Sequence, residues 1–321
     1  MNAPVIIAIV GPTATGKSDL ALALAERLNG EVVNADALQF YRGMDIGTAK
    51  LHPDERRGIP HHQLDVLDPD QDASVADYQV AARADIADIA ARGRRAVVVG
   101  GSGLYLRALL DRIDFPGTDP QVRAALEERA EREGTRALHT ELLAADPIAA
   151  ESIGPRNTRR IVRALEVIAL TGRPYSANLP GHDYHRPAVQ IGLDHDRAAL
   201  DERIALRVDR MWQAGLVDEV RGLLDRGGIG RTASRAVGYA EVLAALRGEI
   251  TVDEARDQVI AGTRRLARKQ MGWFGRDPRV HWLDAQDPNL VDHALELVSA
   301  ADAGTLGPAT DDPTPRRSLG S

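Results

Sequence analysis

The chain has 321 residues, 44 % of them apolar and 27 % charged, which suits one large or two modest domains with a substantial core. The absence of cysteine excludes disulfides and thiolate metal centres. A formal net charge of −7 argues mildly against a nucleic-acid partner, so the distribution of charge has to decide that point.

The first apolar run, residues 5–10, is too short to span a membrane. It has neither the basic leader nor the small-residue cleavage site of a signal peptide, and a cytoplasmic location is expected. This β-branched run reads as a buried parallel strand and is followed at once by GPTATGKS, residues 11–18. Leu20, Leu22, Leu24 and Leu28 among alanines then make a helix that Asn29 and Gly30 close. EVVNAD (31–36) predicts a second strand and HHQLDVL (61–67) a third. Residues 74–92 have helical spacing, and RAVVVGG (95–101) is another buried strand, followed by a helix from about Leu104. Strand and helix in alternation imply a parallel sheet covered on both faces.

The pattern changes at DFPGTDP, residues 114–120. From there only helices are predicted, over 120–133, 135–145, 147–153 and 157–171, until VQIGLD (189–194) restores a strand. Helices follow over 197–213, 216–226, 238–247 and 252–273, with a short strand at RVHWLD (279–284). The expected organisation is therefore a core over 1–115, a helical insertion over 116–188, a mostly helical second part of the core over 189–300 and a disordered tail over 301–321 rich in Gly, Pro, Thr, Asp and Ser.

The form G-x-x-x-x-G-K-S between a strand and a helix is a phosphate loop. Its backbone amides and the positive end of the following helix face an anion, Lys17 reaches terminal phosphates, and the Ser18 hydroxyl typically ligates Mg²⁺. That motif alone leaves a small-molecule or nucleotide kinase open. Two features fit a kinase poorly: there is no arginine-rich lid sequence, and Asp36 follows the second strand, where a parallel sheet delivers residues to the ligand crevice. Two segments are basic. Residues 156–173 carry Arg156, Arg159, Arg160, Arg163 and Arg173 against the single acid Glu166, and residues 264–276 carry Arg264, Arg265, Arg268, Lys269 and Arg276 with no acid. A solvated helix face accounts for them as readily as nucleic acid does.

VNADALQFYRGMDIGTAK (33–50), together with GPTATGKS, VGGSGLYLRAL (99–109), RNTRRIVRALEV (156–167), RAVGYAEV (235–242) and RLARKQMGWF (265–274), closely resembles the bacterial tRNA dimethylallyltransferases over about residues 5–285. The resemblance implies a P-loop NTPase-like parallel sheet flanked by helices, with an all-helical insertion domain. The implied reaction transfers the dimethylallyl group of dimethylallyl diphosphate to the exocyclic amine of the adenine just 3′ of the anticodon. The loop Gly11, Pro12, Thr13, Ala14, Thr15, Gly16, Lys17 and Ser18 would then hold a prenyl diphosphate, whose oxygens resemble the β,γ end of a nucleotide triphosphate. ATP binding stays open as a nominal property.

Further roles follow from the resemblance. Asp36 would accept the amine proton and, with Ala37, Leu38 and Gln39, meet the target nucleotide, Gln39 pairing two-sidedly with the adenine edge. Ser102, standing where the family usually has threonine, keeps a catalytic hydroxyl. Arg203 and Arg207, four apart on one helix, are candidate contacts to the leaving diphosphate. Arg123, Arg159, Arg160, Arg163, Arg235, Gly238, Tyr239, Arg268, Lys269, Gln270, Trp273 and Arg276 match the family's tRNA contacts. Trp273 and Phe274 suit a core at least as well as a base stack, while His61 and His62 read as strand residues and not as metal ligands. Ala240 and Gly275 depart from positions that are commonly basic in the family. Mg²⁺ is the expected cofactor, tRNA the expected macromolecular partner, and a monomer outside membranes the expected state. The remaining rival is an ATP-switched RNA-binding module without enzymatic activity.

Overall fold

A computed structural model describes residues 4–178 and 181–309. Six strands form one parallel sheet: β1 (Ile6–Val10), β2 (Gly30–Asn34), β3 (His61–His62), β4 (Arg95–Val99), β5 (Ala188–Asp194) and β6 (Val280–Asp284), in the order β3, β2, β4, β1, β5, β6. The near-continuous apolar composition of the central strands follows from burial on both faces. Side chains alternate along β1 with a period of two. Ile6, Ala8 and Val10 enter one core with Val33, Val98 and residues of α2 (Val75–Ala91) and α3 (Gly103–Leu110). Ile7 and Ile9 enter the other with Val32, Val97, Leu20 and Leu24 of α1 (Lys17–Arg27), and Ala294 and Val298 of α12 (Leu290–Asp302).

The chain divides into two compact units, residues 111–183 and the remainder. The smaller is all-helical: α4 (Pro120–Glu133), α5 (Thr135–Ala145), α6 (Pro147–Ile153) and α7 (Thr158–Thr171). Three of these helices, α4, α6 and α7, start on residues whose side chains cap them. Asp119 accepts from Gln121 N and Val122 N, Asp146 from Ala149 N, and Asn157 from Arg160 N. Proline at the first position of α4 and α6 reinforces two of these starts. Leu126, Leu138, Leu142, Ile161, Val162 and Leu165 make its core.

In the larger unit, α8 (Arg197–Gln213) packs on α11 (Val252–Phe274) through Leu200, Ile204, Ala267 and Met271. A separate core joins α9 (Leu216–Asp225) and α10 (Tyr239–Leu246) to Tyr41 and Met44.

Three sequence expectations need correction. The third strand stops at His62 instead of reaching residue 67, because Gln63 (φ 58°) and Asp65 (φ 56°) turn into the left-handed region; only Leu67 pairs again, in an isolated bridge to Tyr41. Helix α12 was not among the predicted elements, although Leu290, Val291, Ala294, Leu295, Leu297 and Val298 carry helical spacing. The expected tail starts too early, since α12 continues to Asp302 and Leu306 packs against the core; residues 310–321 lie outside the described residues.

Candidate active site

The site is built from three loops at the carboxyl ends of neighbouring strands. β1 leads into residues 11–16, β2 into residues 35–39 and β4 into residues 100–102, and because β2, β4 and β1 are adjacent these loops meet. Gly11 has φ +126° and approaches β5 so closely that a Cβ would lie 2.6 Å from the Leu193 carbonyl oxygen. Gly16, left-handed, starts α1 without a side-chain cap, so the first amides of that helix stay available to an anion.

A cleft of about 370 Å³ opens over this loop. Thr13, Ala14, Gly16, Lys17 and Ser18 line one side, Asp36 and Gln39 another, and Arg203, Arg207 and Arg210 of α8 a third. Lys17 Nζ donates to the Pro12 carbonyl, and Arg203 Nε donates to the Ala14 carbonyl at 2.9 Å, tying α8 to the phosphate loop. Burial brings Lys17 down from 10.5 to about 7; Arg207 pushes in the same direction and Asp36 opposes it. Burial also raises Asp36, an effect countered by the hydrogen bond from Leu38 N and by the charges of Lys17 and Arg207. Arg207 is lowered by burial and held up by Asp36. The cleft thus sets one carboxylate against several cations, with Asp36, Lys17 and Arg207 half-buried.

Asp36 is fixed by its own loop. Its N–H donates to Asn34 Oδ1 at 3.0 Å, and its Oδ1 accepts from Leu38 N at 3.1 Å. Ser102 Oγ accepts the Ala37 N–H at 3.2 Å, so this hydroxyl links the loops after β2 and β4.

Other sequence candidates fall into distinct groups. Arg159, Arg160, Arg235, Lys269 and Arg276 are exposed, and Arg268 is half-buried. Trp273 is 40 % exposed with its indole against Gly103, so the core reading fails for it, whereas Phe274 is buried in the core. Arg163 donates to Glu166 at 2.8 Å and to the carbonyls of Pro116 and Gly117, and Arg123 reaches Glu166 at 3.4 Å. Both guanidiniums are therefore engaged within the helical unit on a fully buried carboxylate. Three candidates need correction as surface contacts. Tyr239 is fully buried and donates to Glu219; Gly238, beside it, is buried too. Gln270 is 9 % exposed, accepts from Thr13 N at 2.8 Å and donates to Gly101 O at 3.2 Å, which makes it a brace for the site's loops. His61 and His62 contact Ile59 O and Glu31, in keeping with strand residues. Arg210 was missed, although positions 203, 207 and 210 follow the helical spacing that puts side chains on one face.

Comparison with known proteins places this geometry. The family model described as IPP transferase matches residues 39–277. A tRNA dimethylallyltransferase of Streptomyces coelicolor is 63 % identical over 92 % of this chain and 96 % of its own length. The chain belongs to the IPP transferase family. One from Thermobifida fusca is 60 % identical over 91 % of this chain and 94 % of its own. Among solved structures, the tRNA isopentenylpyrophosphate transferase of Bacillus halodurans superposes with a TM-score of 0.69 at 41 % identity, covering 94 % of this chain and 96 % of that one. A eukaryotic dimethylallyltransferase acting on tRNA gives a TM-score of 0.82 at 25 % identity, covering 96 % and 81 %. Membership of this family sets the small-molecule kinase reading aside. Among the described residues, no helix is long and apolar enough to cross a membrane.

Proposed function

We propose that this chain transfers the dimethylallyl group of dimethylallyl diphosphate to the exocyclic amine of the adenosine adjacent to the anticodon in tRNA, in the cytoplasm and as a monomer. The observation that carries the reading is the single cleft in which Asp36 faces Lys17, the first amides of α1 and the arginines of α8. In the reaction the amine nitrogen forms a bond to the allylic carbon, and the carbon–oxygen bond breaks. Diphosphate leaves with the electron pair, and Asp36 takes the proton. The loop amides, Lys17, Arg203, Arg207 and Arg210 neutralise the charge that develops on the leaving group. Asp36 Oδ1 is occupied by Leu38 N, so Oδ2 is the oxygen to receive the proton.

Ser18 lines the cleft at the start of α1, and among the described residues no group of three or more carboxylate, histidine or thiol side chains gathers into a metal cage. That donor set suits a Mg²⁺ ion bound through the Ser18 hydroxyl and, for the rest, through diphosphate and water. Bound there, the ion supplies positive charge to the leaving group. The exposed Arg235, Lys269 and Arg276 of the larger unit are suited to phosphates of the anticodon stem-loop; the helical unit, taken by itself, exposes Arg159 and Arg160, which are suited to RNA phosphate. Pulling the target base from its stack costs a few kcal/mol, which such contacts offset. Incubation with tRNA and labelled dimethylallyl diphosphate tests the reading: label should appear on the adenosine, and RNA binding without label transfer would return the protein to a binding module.

A further inference from the structure

Thr48, Ala49 and Leu51 line the cleft, and the loop that leads into them is anchored from behind. Glu219 of α9 accepts the N–H groups of Asp45 at 2.9 Å, Ile46 at 2.7 Å and Gly47 at 3.1 Å. The same carboxylate accepts the Tyr239 hydroxyl at 2.6 Å. Gly47 lies so close to the Tyr239 ring that a Cβ there would come within 2.6 Å of it. Three amides and one hydroxyl thus converge on one side chain, and the next residue, Thr48, is held by a bond from its Oγ1 to Met44 O at 2.6 Å.

The fixed carbonyl of Thr48 accepts Gln39 Nε2 at 3.1 Å. A backbone carbonyl can only accept, so the Gln39 amide has one allowed orientation, with its NH₂ toward Thr48 and its Oε1 turned away. Gln39 lines the cleft with Asp36, and its Oε1 has no hydrogen-bond partner among the described residues. One N–H of the Gln39 amide is thus spent on Thr48, so the two-sided pairing expected from sequence has Oε1 as its acceptor and one remaining N–H as its donor.

We infer that Glu219 is a positioning residue for target-base recognition: through the 45–48 loop it fixes the Gln39 amide so that its Oε1 accepts from an exocyclic amine beside Asp36. This rests on the proposed prenyl transfer and adds how the amine is chosen. An aromatic amine carries two hydrogens, of which one departs to Asp36 and one stays on the nitrogen of the product. Gln39 Oε1 takes the hydrogen that stays. A base with a carbonyl at that position sets oxygen against oxygen.

The test uses the full-length protein and anticodon stem-loops carrying adenine or hypoxanthine at the target position. Wild type should bind the adenine form about tenfold more tightly, the scale of one hydrogen bond replaced by an unpaired acceptor. In Glu219→Ala that ratio should fall to within about threefold of unity, with inorganic pyrophosphate affinity kept within about twofold. A merely structural role would move both affinities together or neither. A preserved adenine preference in Glu219→Ala, or no preference in wild type, overturns the inference. If Glu219→Ala does not fold, Glu219→Gln decides. Its NH₂ must face at least one of the loop's own donors, so the ratio should drop, and an unchanged ratio overturns the inference. Binding preference without any prenyl transfer by wild type would instead count against the proposed activity and leave the role of Gln39 standing.

Discussion

Thr13 of the phosphate loop donates its N–H to Gln270 Oε1 at 2.8 Å, so a helix 257 residues further along the chain holds the donor side of the cleft. The other end of the same side chain donates to the Gly101 carbonyl at 3.2 Å, bracing the loop after β4. Gln270→Ala frees both loops and should weaken pyrophosphate binding about five- to tenfold while costing roughly 1–2 kcal/mol of stability. Gln270→Glu keeps an acceptor for Thr13 but sets a carboxylate against Gly101 O and into a cleft built for an anion, so it should lose more pyrophosphate affinity than the alanine variant. Calorimetric titration of both variants checks the order.

Lys17 gives a pH dependence with a definite sign. In the free protein its ammonium is held down to about 7, against 10.5 for an ordinary lysine. Between these values the unfolded chain carries the proton and the folded chain does not, so this group's contribution to stability rises with pH across that window. An anionic diphosphate favours the charged form. Pyrophosphate binding at pH 8 should therefore take up a proton and weaken as pH rises further. Titration in two buffers of different ionisation enthalpy measures the uptake. Lys17→Ala should abolish it and slow prenyl transfer far more than it lowers the melting temperature.

Asp36→Asn keeps size and one carbonyl acceptor for Leu38 N but cannot take a proton at neutral pH. Loss of a positioned general base costs roughly 10² to 10⁴ in rate. Single-turnover transfer should fall by that order, with tRNA and donor affinities changed by less than about tenfold. A normal chemical step at saturation would leave Asp36 as an anchor only.

The helical unit separates two kinds of arginine. Glu166 is fully buried and accepts from Asp119 N at 3.1 Å as well as from Arg163 at 2.8 Å. Glu166→Ala leaves Arg123 and Arg163 without their carboxylate and should destabilise the unit by about 3 kcal/mol, at the lower end for a broken buried pair because both arginines are partly exposed. Arg160→Ala should leave stability unchanged and flatten the log–log salt dependence of tRNA binding by roughly 0.7 to 0.9. Equal melting temperatures for wild type and Glu166→Ala would count against the structural role assigned to that carboxylate.

Much of this protein was legible in the linear chain because its signals are local. Apolar β-branched runs, helical spacing and the phosphate-loop pattern depend on neighbours within a few residues, and they located five strands, most helices and the place of Lys17 and Asp36. The same local rules misread the third strand, where left-handed residues at 63 and 65 break an apolar pattern that looks continuous. They also could not tell which basic residues face solvent. Charge in sequence is the same for Arg160 and Arg163; helical i,i+3 spacing sets Arg163 beside Glu166, but only the fold of the unit brings the 116–117 carbonyls to Arg163 and Arg123 of α4 to the same carboxylate. Tertiary structure likewise decided the roles of Gln270, Tyr239 and Glu219. Their partners lie far away in sequence, and a hydrogen bond depends on where two chain segments meet in space, which no periodicity encodes.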